Sequence, residues 1–595
     1  MGRGSLRRMR WRSLLLERGG LLGLVTVALY ATLAPAHVVD GDNAEFSTLA
    51  ATGGAAHPSG YPLYIMYLRA MSWLPAHGPA HAAALATAVL AAASIVVVHA
   101  ACRAWGARPL AATIAAALLA GAPPLMRIGM RAEVFALNDL VVACVLWLAA
   151  VGGPLRGRRR ALALGLVAGL GVANHLTCTL VLPIGILGMI RAAREDRAVP
   201  VLAVALGGLA VGLAPYAYLF VAPDTPMSWG TVRSADDLLA FVTRRYYGGA
   251  GAFAASGDAV PVGAQLAALA GTLARSWLWA PLAVGLATLG WRVARADHTP
   301  GAETRVAWAA LAVSWLAAGP LLVTRFNIEP VGIGRYVCER FYVLPVLLLA
   351  IPVAVGLTSL GARLPAIRLG ERTVCAIVAT VGLLGVAGAS LPRLARVHTP
   401  VVENYARNVL GSLPPNAVLF AGQDYELASL GYLQAALGER TDVVVVAWQL
   451  ASVPWYAERM RRRGVPIPAA GRLDPVAVIE ALLAQGRPVF VERTRSPVTL
   501  AAAAALPVYV HGTAMRVLPR GVAPPPLDEV IATNEAVFAR FAIGDERPGP
   551  DDEYATEIHR RYAVTWEMLA HKLERAGRAG DAARMMAIAK DLGPR

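Results

Sequence analysis

Apolar runs of about 20 residues recur along this chain from Leu21 to Leu391, and a helix of that length is what crosses the hydrocarbon of a bilayer. Only 16% of the 595 residues are charged and mean hydropathy is +0.52, whereas a soluble globular chain carries about 25% charged residues. After Pro392 acids, amides and turn residues become frequent. The pattern predicts a polytopic α-helical membrane part over 1–391, an extracytoplasmic α/β domain over 392–520, and a linker with a helical tail over 521–595.

The net charge of +16 is carried almost entirely by arginine, Lys572 and Lys590 being the only lysines. The arginines fall in short loops between apolar runs, where the positive-inside bias puts them, so nucleic acid is excluded as a partner. Counting loops from the Arg3–Arg18 cluster gives about eleven spans, with the N-terminus cytoplasmic and the C-terminal domain outside. Ala161–Ile190 holds two short passes meeting near Asn174-His175, and Ala264–Leu289 reads as a single span. The Ala-Pro-Ala before His37 mimics a signal-peptide cleavage site, but a retained first span is expected because more spans follow. The five cysteines lie in or beside apolar segments without CxxC or metal spacing and read as packing residues.

Between the first two spans lies His37–Tyr64, an acidic, aromatic loop carrying Asp40, Asp42 and Glu45, then His57-Pro58-Ser59-Gly60-Tyr61-Pro62. Carboxylates so near hydrocarbon are functional candidates. On the same face the count places Arg131, Glu133 and Asn138; Asn174 and His175; Trp229, Arg244, Arg245, Tyr246 and Tyr247; and Arg335, Glu339, Arg340 and Tyr342. Guanidinium groups suit a phosphate, aromatic rings a sugar, and a carboxylate can take a proton from an acceptor hydroxyl. Together they suit a lipid-linked phosphosugar donor. The bland alternatives are an Arg131–Glu133 ion pair, a His175 that satisfies a backbone carbonyl, and Trp229 and Tyr246-Tyr247 as interfacial belt residues. Gly169-Leu170-Gly171 reads as helix packing and not as a nucleotide loop.

Beyond residue 400, strands are expected at Ala417–Phe420, Asp442–Ala447 and Pro488–Glu492, with a hairpin at Leu506–Val510 and Met515–Leu518, alternating with helices in a partly parallel sheet. The tail ends in a tetratricopeptide-like pair, Tyr562–Glu574 and Asp581–Lys590, expected to pack on the domain.

Several stretches resemble the type-C membrane glycosyltransferases, in the bacterial branch related to animal protein O-mannosyltransferases. They are Asp42-Asn43-Ala44-Glu45-Phe46, similar to Asp-Ser-Gly-Glu-Phe; His57–Tyr64, similar to His-Pro-Pro-Gly-Tyr-Pro-Leu; Ala132–Asn138; Gly171–Thr177; and Pro415-Asn416-Ala417 with Gly422-Gln423-Asp424. The resemblance implies transfer of a sugar, mannose being one candidate, from a polyprenyl-phosphate donor to an extracytoplasmic acceptor, with inversion. By motif position Asp42 is the base and Glu45 its partner, with Asp40 in reserve. Asp40, His57, Tyr61, Arg131, Glu133, Asn138, Asn174, His175, Trp229 and Arg340 are the substrate-binding candidates. No cofactor or metal is expected, and the location is the bacterial inner membrane. The rival readings are a flippase for a lipid-linked glycan, which requires inverted repeats that are not visible, and a membrane-anchored scaffold.

Overall fold

The computed structural model describes residues 19–245, 260–295, 303–361, 371–469, 473–493, 496–544 and 546–595, with no account of side chains at 371–380 and 383. The expectations for Arg3–Arg18 up to residue 18, and for Tyr246-Tyr247, lie outside these residues.

Among the described residues, four helices are long and apolar enough to cross a membrane: Pro79–Ala104, Leu176–Glu195, Ala198–Val221 and Gly332–Gly361. A fifth candidate is the pair Pro109–Gly121 and Pro123–Gly129, bent by 65°, where Ala122 in extended conformation precedes Pro123 and a residue before proline avoids the helical region. These helices mark a multi-pass membrane protein, but they fall short of eleven. Gly20–Leu33, Phe135–Ala149 and Arg305–Leu321 are apolar but shorter. Ala264–Leu289 is two helices, Val262–Trp277 and Trp279–Ala294, broken at Leu278 with φ 59°. The two passes over Ala161–Ile190 are Gly157–Val172 and the 20-residue Leu176–Glu195, so only the first is short.

Ala198–Val221 buries only 22% of its most apolar window, whereas Pro79–Ala104 buries 72%. The first therefore turns its hydrocarbon outward, as lipid allows, and the second forms the centre of the bundle. Gly157–Val172 and Ala198–Gly212 pack backbone to backbone: a Cβ on Gly169 would stand 2.4 Å from the Leu209 carbonyl oxygen. Small residues permit this approach, the packing role read from Gly169-Leu170-Gly171.

The C-terminal region holds a five-stranded sheet of order β2-β1-β3-β5-β4: β1 Val418–Ala421, β2 Val444–Ala447, β3 Val489–Glu492, β4 Val508–His511 and β5 Ala514–Val517. β1 pairs parallel with β2 and β3, and β5 is antiparallel to both β3 and β4, the partly parallel layer that the alternating pattern predicts. Val418–Ala421 is buried at every position, as expected of a strand covered on both faces.

The tail is Leu527–Phe538, Tyr554–Arg575 and Ala579–Leu592. It packs on the sheet region through the Arg561–Glu426 ion pair at 3.2 Å and the Asn408–Tyr562 hydrogen bond at 2.8 Å. It also reaches the helical bundle: Glu553 pairs with Arg127 and Arg393.

Candidate active site

The segment read as an acidic loop is largely a helix, Gly41–Thr52. Asp40 is the reason. Its Oδ1 accepts from the Asn43 backbone N–H at 2.8 Å, and the Asn43 Oδ1 accepts from the Val39 N–H at 3.0 Å. This reciprocal cap satisfies two backbone donors. Gly41 follows because the start of the helix lies against the sheet region; a Cβ there would sit 3.2 Å from the Tyr425 Cα. Asp42 therefore stands in the first helical turn, where the helix dipole favours an anion, between the bundle and the C-terminal region.

Asp42 and Glu45 border a cavity of about 530 Å³. His57, Trp229, Arg244 and Arg340 line it from the bundle side, and Asp424, Gln449, Trp455 and Arg459 from the C-terminal side. The Asp42 carboxylate is ion-paired with Arg340. Burial alone would raise the Asp42 carboxyl, but Arg340, His57 and Arg131 bring it below the usual carboxylate range. It is thus ionised at neutral pH and competent to accept a proton. Both Glu45 oxygens accept from His57, Oε1 from the backbone N–H at 2.7 Å and Oε2 from Nδ1 at 2.5 Å. Burial works against a charged His57, yet Glu45 outweighs it and the imidazole is raised above its usual range. Tyr61 Oη lies 3.1 Å from His57 Nε2, and the Tyr61 ring stacks on His175 at 5.8 Å.

One ligand atom from each of Asp42, Glu45 and His57 lies within 4.8 Å of the others, so this trio could hold a metal ion. In the arrangement described, Arg340 balances Asp42 and His57 balances Glu45 without one.

Of the twelve residues read as site candidates, Asp42, Glu45, His57, Trp229 and Arg340 line the cavity, and Tyr61 stands behind His57. The others occupy supporting positions. Asp40 is fully buried, ion-paired with Arg131 at 2.9 Å. This pair takes the place of the Arg131–Glu133 pair weighed from sequence. Glu133 is 1% exposed and receives the Tyr336 hydroxyl at 3.5 Å. Asn138 is buried, and Asn174 Nδ2 donates to the Val134 carbonyl at 3.2 Å. His175 Nδ1 lies 2.8 Å from Thr177 Oγ1 and its ring 4.6 Å from that of Phe135. The sequence reading did not include Asp424 among the site residues, though it singled out Gly422-Gln423-Asp424. Burial and the nearby Asp42 charge push its carboxyl up. Trp455 and Arg459 carry no recognisable sequence signal; they belong to a helix, Pro454–Arg462, that the strand-and-helix alternation did not predict.

A family model for the protein O-mannosyl-transferase TMEM260 N-terminal domain matches residues 42–198, and one for TMEM260-associated domain 2 matches residues 402–469. The match therefore covers the helix bearing Asp42 and the segment bearing Asp424. The mouse protein O-mannosyl-transferase TMEM260 is 25% identical over 506 residues, 81% of this chain and 69% of its own length. The crystal structure of ArnT from Cupriavidus metallidurans bound to undecaprenyl phosphate superposes with a TM-score of 0.51 at 16% identity, covering 85% of this chain and 99% of that one. The chain is similar to a protein O-mannosyl-transferase over most of its length and shares the fold of ArnT, and it is a membrane glycosyltransferase. The cavity between bundle and sheet is thus the candidate active site of a glycosyltransferase.

Proposed function

We propose that this glycosyltransferase moves a sugar from a polyprenyl-phosphate donor to an acceptor hydroxyl, with Asp42 as base. The observation that carries the reading is the Asp42–Arg340 pair at the cavity wall. The name of the mouse relative makes mannose the first sugar to test, and the undecaprenyl phosphate in the ArnT structure makes that lipid the first carrier.

The step is a single displacement. The acceptor oxygen attacks the anomeric carbon as its proton passes to Asp42. The bond from that carbon to the phosphate oxygen breaks, and the polyprenyl phosphate leaves with the electron pair. One displacement inverts the configuration. Arg340, with Arg244 at the same cavity, holds the phosphate charge. The incoming phosphate competes with Asp42 for Arg340 and so uncovers the base. Glu45 holds His57, Trp229 offers a face for the sugar, and Asp424 meets the acceptor from the other wall.

The finer arrangement belongs to the same proposal. The bundle of 1–391 has about eleven passes counting broken ones, sits in the bacterial inner membrane with its N-terminus cytoplasmic, and holds the 392–520 domain and the 521–595 tail outside. Membrane lipid is a partner and nucleic acid is not. No metal or other cofactor is required.

The test is purified protein with radiolabelled polyprenyl-phosphate sugars, scored for transfer and for hydrolysis by water. Release of mannose from its lipid carrier supports the reading. An inert wild type across the panel, or an Asp42→Asn variant as active as wild type, sinks it.

A further inference from the structure

The segment Asp551-Asp552-Glu553-Tyr554 lies more than 500 residues beyond Asp42, in the tail that sequence reading set apart, yet it is built into the support of the active site. Glu339 and Glu553 share two guanidinium groups. Arg127 reaches both carboxylates and Arg393 lies 2.8 Å from Glu339 and 3.1 Å from Glu553. The two acid side chains are 6% and 4% exposed, so both carboxylates are shielded from water, each between the same two guanidinium groups. Asp551 accepts from the Gly332 N–H and pairs with Arg335 at 2.5 Å. Asp552 takes Arg396 at 3.1 Å. Three consecutive acids thus grip the start of Gly332–Leu348 and the end of Glu371–Val397. Glu553 does so at φ 54°, a left-handed backbone that a non-glycine residue adopts only where its surroundings hold it there.

Tyr554 continues the wedge. Its ring lies 5.6 Å from Tyr336 and 5.3 Å from Tyr425. Tyr336 is one helical turn before Arg340, and the Arg340 guanidinium lies 5.4 Å from its ring. Tyr425 adjoins Asp424. One aromatic ring therefore buttresses both walls of the cavity, the wall with Arg340 and the wall with Asp424.

We propose that Glu553-Tyr554 is a positioning wedge that holds Arg340 opposite Asp42 and keeps the two walls in register. That it serves phosphate binding rests on the function proposed above; that it orders the walls does not. If the wedge loosens, the Gly332–Leu348 helix can rotate and Arg340 loses its aim, while the fold keeps its separate bundle and sheet cores.

Full-length protein in detergent tests this with two readouts. The first is hydrogen exchange without ligand. Tyr554→Ala is expected to speed exchange in segments 332–348 and 424–431 together, and Tyr554→Phe, which keeps the ring, is expected to restore wild-type rates. Unchanged exchange in either segment overturns the wedge. The second is binding of undecaprenyl phosphate. Tyr554→Ala and Glu553→Gln are expected to weaken it about tenfold, and neither is expected to add to the loss in an Arg340→Ala background. An equal loss in that background overturns action through Arg340. Arg584→Ala, which breaks an exposed pair with Glu535, is the control. A wild type that fails to bind the lipid phosphate overturns the donor reading, and the exchange result then decides the wedge by itself.

Discussion

Two ionic clusters of this glycosyltransferase use the same chemistry and differ in access. In the Arg127–Glu339–Arg393–Glu553 ring both carboxylate side chains are nearly sealed, at 6% and 4% exposure. In the Asp42–Arg340 pair the side chains are 30% and 18% exposed and open on a cavity. Neighbouring positions in the helix bearing Arg340 feed both clusters, Glu339 the sealed one and Arg340 the open one. A sealed pair is committed to its partner, because losing either member strands a charge in a low-dielectric site. An open pair can exchange its partner for a ligand at small cost. Access, and not residue type, separates the support of this site from its working groups.

That contrast can be broken by substitution. The largest effect is expected from Asp42→Asn, a loss of transfer of about 10²–10⁴-fold, the range for removing a general base, with a nearly unchanged melting temperature in detergent. A collapse of the melting temperature would put Asp42 with the sealed cluster. Glu339→Ala should do the reverse and destabilise the protein by about 3–5 kcal/mol, because Arg127 and Arg393 are left to share the single carboxylate of Glu553 and Arg275 loses its partner; denaturation of the purified variant measures it. Asp40→Asn keeps an acceptor for the helix cap but leaves Arg131 without its counter-charge, for a loss of about 1.5–3 kcal/mol. An Asp40→Asn variant of full stability but no transfer would move the base from Asp42 to Asp40.

The His57–Glu45 pair gives a smaller, pH-dependent effect. His57 is raised above its usual 6.5. The stability from this pair is therefore fully present below pH 6.5 and is lost as pH rises through the raised value. Melting curves of wild type and His57→Gln across that window should converge on the alkaline side; a gap that widens there refutes the assignment. The smallest effect is expected for Arg584→Ala, whose pair with Glu535 is 55% and 42% exposed; its stability should stay within about 0.5 kcal/mol of wild type.

The motif positions Asp42, Glu45 and His57 were legible because polar groups between apolar runs are few, and each carries a chemical reason for being there. Asp40 was equally visible and reads differently once folded. A carboxylate that caps its own helix and neutralises Arg131 looks, in sequence, the same as one that faces substrate. Arg340 was found among the cations that the loop count places on the outer face, but the same count named Arg335, whose partner is Asp551 of the tail. The tail was read as a separate unit because sequence separation hides a contact made by three acids and one ring. The number of passes was not legible, since hydropathy does not register breaks such as Leu278.

By itself, the sequence determined the membrane character of the bundle, the partly parallel sheet and the residue types gathered in the first loop. Those follow from hydrophobic length, alternation and residue type, which are local properties. Tertiary structure alone decided which carboxylate is sealed and which is open, that Asp424 completes the cavity, and that Glu553 and Tyr554 brace it. Burial and charge pairing depend on residues up to 426 positions apart, and no window of sequence contains both members of such a pair.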